Sequence, residues 1–202
     1  MTRATAAILL MICAVLIQPP LHASDSFIPE GKRFRADSEL SEQRFGEGSF
    51  AWSRVDEQGE INGVRYVIHH AYGTGSIGHW DVDCGIDQID RYRWCELKHF
   101  RIRIYQNTRG KFAVTVGSNH YPRSLVHLRL ESGKIFRAAE PGWSGAPARQ
   151  IASSMSGENS VTTRYWEWPY RADNDDTHGT LGLPLALQYL DFVVGEPKTS
   201  KK

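Results

Sequence analysis

Charge of one sign is what this chain lacks most: 24 Lys and Arg stand against 23 Asp and Glu, for a formal net charge of +1. A nucleic-acid binder normally carries a clear basic excess, so the composition gives nucleic acid no support as a partner. Long apolar runs are missing after the first residues. No later segment approaches the roughly 20 apolar residues needed to span a bilayer, and the protein is not expected to be membrane-spanning. Cysteine is scarce, with 3 in 202 residues. The chain has no H-E-x-x-H zinc motif, no phosphate-binding glycine loop and no dinucleotide fingerprint, so neither a cofactor nor a metal is expected. Internal repeats and low-complexity tracts are absent as well.

What is present begins with Met1-Thr2-Arg3 and an apolar run from Ala4 to Ile17, closed by Pro19 and Pro20 and followed by Leu21-His22-Ala23. A positive start, a short apolar centre and a small residue before a polar stretch predict a secretory signal peptide over residues 1–23. Cys13 follows bulky Ile12 inside the apolar centre, a poor place for lipid attachment. Cleavage after Ala23 leaves 179 residues with a formal charge of 0, a length that suits one domain with a real core. The destination is the periplasm or the outside of the cell. Cys84 and Cys95 are then the only cysteines left, and in an oxidising compartment such a pair predicts a disulfide. Closing a loop of about 12 residues stabilises a fold by roughly 3 kcal/mol in the chain-entropy model. The alternative, two ligands of a metal site, fits no common zinc spacing.

Residues 24–50 are polar and uneven and predict an extended or partly ordered arm. Residues 195–202, with Pro197 and three lysines, predict a flexible tail. Between them, residues 51–194 read as a single β-rich domain. Phe100, Ile102 and Ile104 alternate with polar residues, as do Phe112, Val114 and Val116, then Val126, Leu128 and Leu130. Trp80, Val82 and Cys84 line up against outward Asp81 and Asp83. Period two of this kind marks strands with one face on a core. Asn107-Thr108-Arg109-Gly110 and Ser132-Gly133 suit hairpin connections. The expected fold is mainly β: an antiparallel, meander or sandwich-like sheet with two short helices packed on it. The helices are predicted over about 146–155, with Ser144 as N-cap, and about 183–193, with Pro184 in the first turn. Leu183, Leu187, Leu190 and Val194 give the second helix an apolar stripe. Between the helices, Val161 to Trp168 reads as one more strand.

Several constellations bear on chemistry. Gly142-Trp143-Ser144-Gly145-Ala146 approaches the G-x-S-x-G nucleophile elbow, and Asp173, Asp175, Asp176 and His178 follow it. That elbow needs a parallel strand running into a helix, whereas the strands here read as antiparallel. Ala146 also replaces the final glycine, so Ser144 is read as a helix cap. Asp173 to Gly179 packs oxygen ligands closely enough to suggest Ca²⁺, but the EF-hand glycine and glutamate positions hold His178 and Pro184. A solvated loop is the expectation. His69, His70, His79, His99, His120, His127 and His178 form no recognisable ligand pair.

Tyr165 to Tyr170 holds four aromatics in six residues. Alternation puts Trp166 and Trp168 on one side and Tyr165 with Glu167 on the other; one pair suits the core, the other a ligand surface. Trp143, Trp166, Trp168, Tyr170, Asp173, Asp175 and His178 are therefore the candidate ligand-binding residues. A second surface, with outward Arg101, Arg103, His127 and Arg129, suits an anion or simple pairing with Glu96 or Glu131.

Trp80-x-Val82-x-Cys84, then Cys95 and a hydrophobic strand, resembles the start of the invasion-associated locus B family of exported bacterial proteins. The later strands and the closing helix are compatible with that family's domain, over roughly residues 78–193. The family commonly carries a further cysteine pair that this chain lacks, and the Trp166–Tyr170 block lies outside the resemblance. The resemblance implies a periplasmic or secreted β-rich factor linked to host-cell interaction, with no catalytic residues to transfer. The expected function is non-catalytic binding of an envelope, host-surface or glycan partner. A carbohydrate-binding module using Trp166 or Trp168 and a small secreted hydrolase using Ser144 or the Asp173–His178 segment are the alternatives.

Overall fold

A computed structural model describes residues 41–45, 48–52, 57–69 and 73–194. The predicted signal peptide, most of the polar arm, His70 and the predicted tail lie outside the described residues. At the end of the arm, β1 (Ser41–Phe45) and β2 (Gly48–Trp52) pair as an antiparallel hairpin.

The domain that follows is mainly β, with two open antiparallel sheets. The larger sheet takes β3 (Glu57–Ile61), β4 (Val64–His69), β5 (Thr74–Ile77), β6 (Trp80–Ile86), β7 (Arg93–His99), β8 (Ile102–Asn107) and β9 (Phe112–Val116) in chain order, and ends on β12 (Gly142–Ser144). The smaller sheet holds β10 (Leu125–Leu130), β11 (Ile135–Ala139), β13 (Ser160–Trp166) and β14 (Asp173–Gly179) in the order β11-β10-β13-β14. Short hairpin links explain why neighbours in sequence are neighbours in the sheet.

Period two settles which face is inside. Trp80, Val82 and Cys84 of β6 are buried while Asp81 is exposed, and Phe112, Val114, Val116, Val126, Leu128 and Leu130 are buried as their alternation requires. These residues share one apolar core with the two helices, α1 (Gly145–Met155) and α2 (Leu183–Val194). Helix α2 lies against β5 to β8, and α1 against β9 and β12. Leu183, Leu190 and Val194 are buried as the stripe predicts and Leu187 is partly buried, but Leu185, Tyr189 and Phe192 are buried too. The helix is enclosed on more than one side and therefore apolar around most of its girth.

Three local readings are corrected. Phe100 does not continue the alternation of Ile102 and Ile104. It sits with Arg101 in the tight turn between His99 and Ile102, at φ 49° and 78 % exposed. The sheet reversal needs a turn there, and His99 takes the inward place. The strand after α1 ends at Trp166, not Trp168. Asp173 to Gly179 is strand β14, not a loop. Its residues have low β propensity, but as an edge strand it needs only one partner, and its carboxylates find basic groups across that ladder.

Candidate functional site

Cys84 and Cys95 face each other as register partners on β6 and β7, with Cα atoms 4.0 Å apart, and form the disulfide. Both are buried. On the outer side of the same strand pair, Lys98 pairs with Asp83 at 2.9 Å and Glu96 at 3.0 Å. Arg103 lies 3.9 Å from Glu96, so its outward position is explained by cross-strand pairing.

The seven candidate ligand residues do not meet in one cleft. Trp143 lies on β12, at the edge of the large sheet, and packs half-buried against the core. Ser144 beside it occupies the N-cap of α1, but its side chain makes no cap hydrogen bond. No hydrogen bond joins Ser144 to Asp173, Asp175 or His178 among the described residues, which leaves the elbow reading without a base.

The other candidates divide by strand parity. Trp166, Asp173 and Asp175 stand on the outer face of the small sheet, where Trp166 Nε1 donates to Asp173 Oδ1 at 2.6 Å. Arg164, directly opposite Asp175, holds it through Nε to Oδ1 at 2.6 Å and Nη2 to Oδ2 at 2.5 Å. The guanidinium keeps the Asp175 carboxyl below the usual carboxylate range. Asn174 points the other way and donates to Tyr165 Oη and Glu167 Oε2, each at 3.2 Å. Alternation thus keeps Asp173 and Asp175 on one face and sends Asn174 and Asp176 to the other, so the oxygen ligands of the segment are divided between two faces and do not gather as a Ca²⁺ loop would require. Among the described residues no group of three His, Cys, Asp or Glu side chains is placed to hold a metal ion.

His178, one of the candidate ligand residues, is 2 % exposed and faces inward from β14. Its Nε2 lies 3.1 Å from the Thr163 hydroxyl. Its ring stands edge-on to His99 at 5.9 Å and stacks with Phe100 at 5.5 Å. His79 stacks on His99 in turn, at 5.4 Å. Nothing local in the sequence links these histidines, which come from three separated segments.

Beyond β13 the chain carries the exposed aromatics. Trp168 is 49 % and Tyr170 74 % exposed. The Trp168 ring leans on Tyr121 at 5.3 Å, and its backbone is fixed by Asn119, whose Nδ2 donates to the Trp168 carbonyl at 2.8 Å. Arg171 lies over both the Trp166 ring, at 4.9 Å, and the Tyr121 ring, at 5.7 Å. Tyr121 escapes sequence reading because only the pairing of residues 119–121 with 166–168 brings it to this edge.

The anion surface is also rearranged. Arg101, in its turn, lies over the Tyr165 ring at 5.9 Å, and Arg103 is on the large sheet. His127 and Arg129 remain together on β10 and gain Arg137 from β11 and Arg164 from β13 around a cavity of about 250 Å³. Outward parity on each strand marks these two arginines, but their convergence needs the register. None of the seven candidates lines the wider hollow, of about 670 Å³, between the β3–β4 turn and the start of α2.

The described residues form a mainly β protein with a disulfide between neighbouring strands and an edge of exposed aromatic side chains. In comparison with known proteins, no family model, curated protein or solved structure matches the chain.

Proposed function

We propose that this is an exported binding protein of the periplasm or the extracellular space, acting without turnover on an envelope, host-surface or glycan partner. The supporting observation is the edge where Trp168 and Tyr170 stand exposed beside Tyr121, with Arg171 lying over Trp166 and Tyr121. Exposed aromatics held by backbone hydrogen bonds offer flat apolar faces without first losing much conformational freedom. The disulfide suits an oxidising compartment, and the resemblance of residues 78–193 to the invasion-associated locus B family points in the same direction.

A glycan is the partner this edge favours. Sugar rings present C–H faces that stack on Trp and Tyr, while Arg171 and Asp173 lie within the same patch to meet hydroxyls. Tryptophan fluorescence titrated with a panel of neutral oligosaccharides tests this. Saturable quenching by one class, lost in Trp168→Ala with the circular dichroism spectrum unchanged, is expected. Identical responses in the two proteins would remove the edge as the binding surface, and turnover of any saccharide by pure protein would overturn the non-catalytic reading.

A further inference from the structure

The open face of the small sheet carries an unusual row. Register places Arg137, His127, Arg164 and Asp175 side by side on four adjacent strands. Directly opposed side chains lie about 5 Å apart, and like charges in that position oppose pairing. Asp175 is spoken for, since Arg164 grips it with two hydrogen bonds, and Asp173 stands 3.7 Å from the same guanidinium. Arg129 and Arg137 have no ion pair among the described residues, and both are exposed. His127, flanked across its strand by Arg137 and Arg164, has its Nε2 buried and without a hydrogen-bond partner among the described residues. Thr162 adds a hydroxyl on the wall of the same cavity.

We propose that this face is an oxyanion-binding site, in which Arg129, Arg137 and His127 take a carboxylate, sulfate or phosphate group of the ligand, with the Arg164–Asp175 pair as a fixed wall. Two unspent guanidinium groups supply forked donors matched to such an anion. The unpartnered imidazole nitrogen supplies a third contact, and an anion between them offsets the repulsion along the row. Burial first, then Arg137 and Arg164, pushes the His127 pKa down, against the opposing pull of Asp173 and Asp175. An anion seated among these groups raises it again, which gives the site its own signal. The site adjoins the aromatic edge, because Trp166 and Asp173 form the next outward row, but it stands on its own contacts.

The test is an NMR titration of the His127 ring in purified full-length protein, with sodium sulfate and inorganic phosphate against sodium chloride at matched ionic strength. A saturable shift and a raised His127 pKa are expected with at least one of the two anions. Arg129→Gln and Arg137→Gln should each weaken the binding by about tenfold or more, while Arg103→Gln leaves it unchanged. A response no larger than that of chloride, or one equal in Arg137→Gln, overturns the site. Glucuronic acid, glucose 6-sulfate and glucose 6-phosphate, followed by the same signal, then separate carboxylate, sulfate and phosphate as the ligand's anionic group. Neutral-saccharide quenching without any His127 response would sink this site alone. A His127 response without quenching would sink the aromatic-edge reading alone.

Discussion

His99 of β7 and His178 of β14 meet ring to ring across the core, edge-on with centroids 5.9 Å apart, and so join the two sheets. Among the described residues, His99 Nε2 and His178 Nδ1 both lack hydrogen-bond partners. Burial holds each pKa below its ordinary value, and for His99 the neighbouring His178 and His79 add to the effect. The opposing pulls are the His79 backbone hydrogen bond and then Asp81 on His99, and Asp176 on His178, while Arg101 pushes His178 further down.

This contact makes stability depend on pH. The unfolded chain binds protons at these sites from about pH 6.5 downward, before the folded protein does, so stability falls as pH drops below that value and levels off beneath the folded pKa values. The full contribution is present above pH ~6.5. Chemical denaturation between pH 8 and 5 should show the decline, and the double variant His99→Gln, His178→Gln should show a shallower one. An unchanged slope in that variant would remove the pair as its source; His127, also shifted down, supplies the remainder.

The disulfide closes a short loop between strands that are already hydrogen-bonded. Cys84→Ser with Cys95→Ser should cost about 3 kcal/mol, lowering the thermal midpoint by about 6–12 °C for a domain of this size. Calorimetry with and without reductant checks it, the double variant being insensitive to the reductant.

Gly117 and Gly110 separate two costs of adding a methyl group. Both have positive φ, 77° and 81°, but a Cβ at Gly117 would stand 2.7 Å from the Tyr165 ring, whereas at Gly110 nothing lies within 4 Å. Gly110→Ala should cost about 1–2 kcal/mol from backbone strain. Gly117→Ala should cost at least about 1 kcal/mol more, from overpacking against buried Tyr165. Equal urea midpoints would show that the ring moves aside freely.

Ser144 tests the start of α1. An N-cap serine normally contributes about 1 kcal/mol through its side-chain hydrogen bond, which is missing here. Ser144→Ala should therefore shift urea unfolding by less than about 0.5 kcal/mol.

Much of the fold is written locally. Alternation alone put Trp80, Val82 and Cys84, or Val126, Leu128 and Leu130, on a buried face, because a strand's side chains must alternate and apolar ones leave water. Turn residues placed the hairpin links, and two cysteines in an expected oxidising compartment placed the disulfide. What sequence could not settle was which outward faces become neighbours. Strand β14 exists because β13 offers it a ladder and Arg164 meets its carboxylates, and no local propensity announces that. The meetings of His99 with His178, of His127 with Arg164, and of Tyr121 with Trp168 join residues far apart in sequence. They depend on long-range register and on how the sheets share one core, and those are properties of the folded chain as a whole.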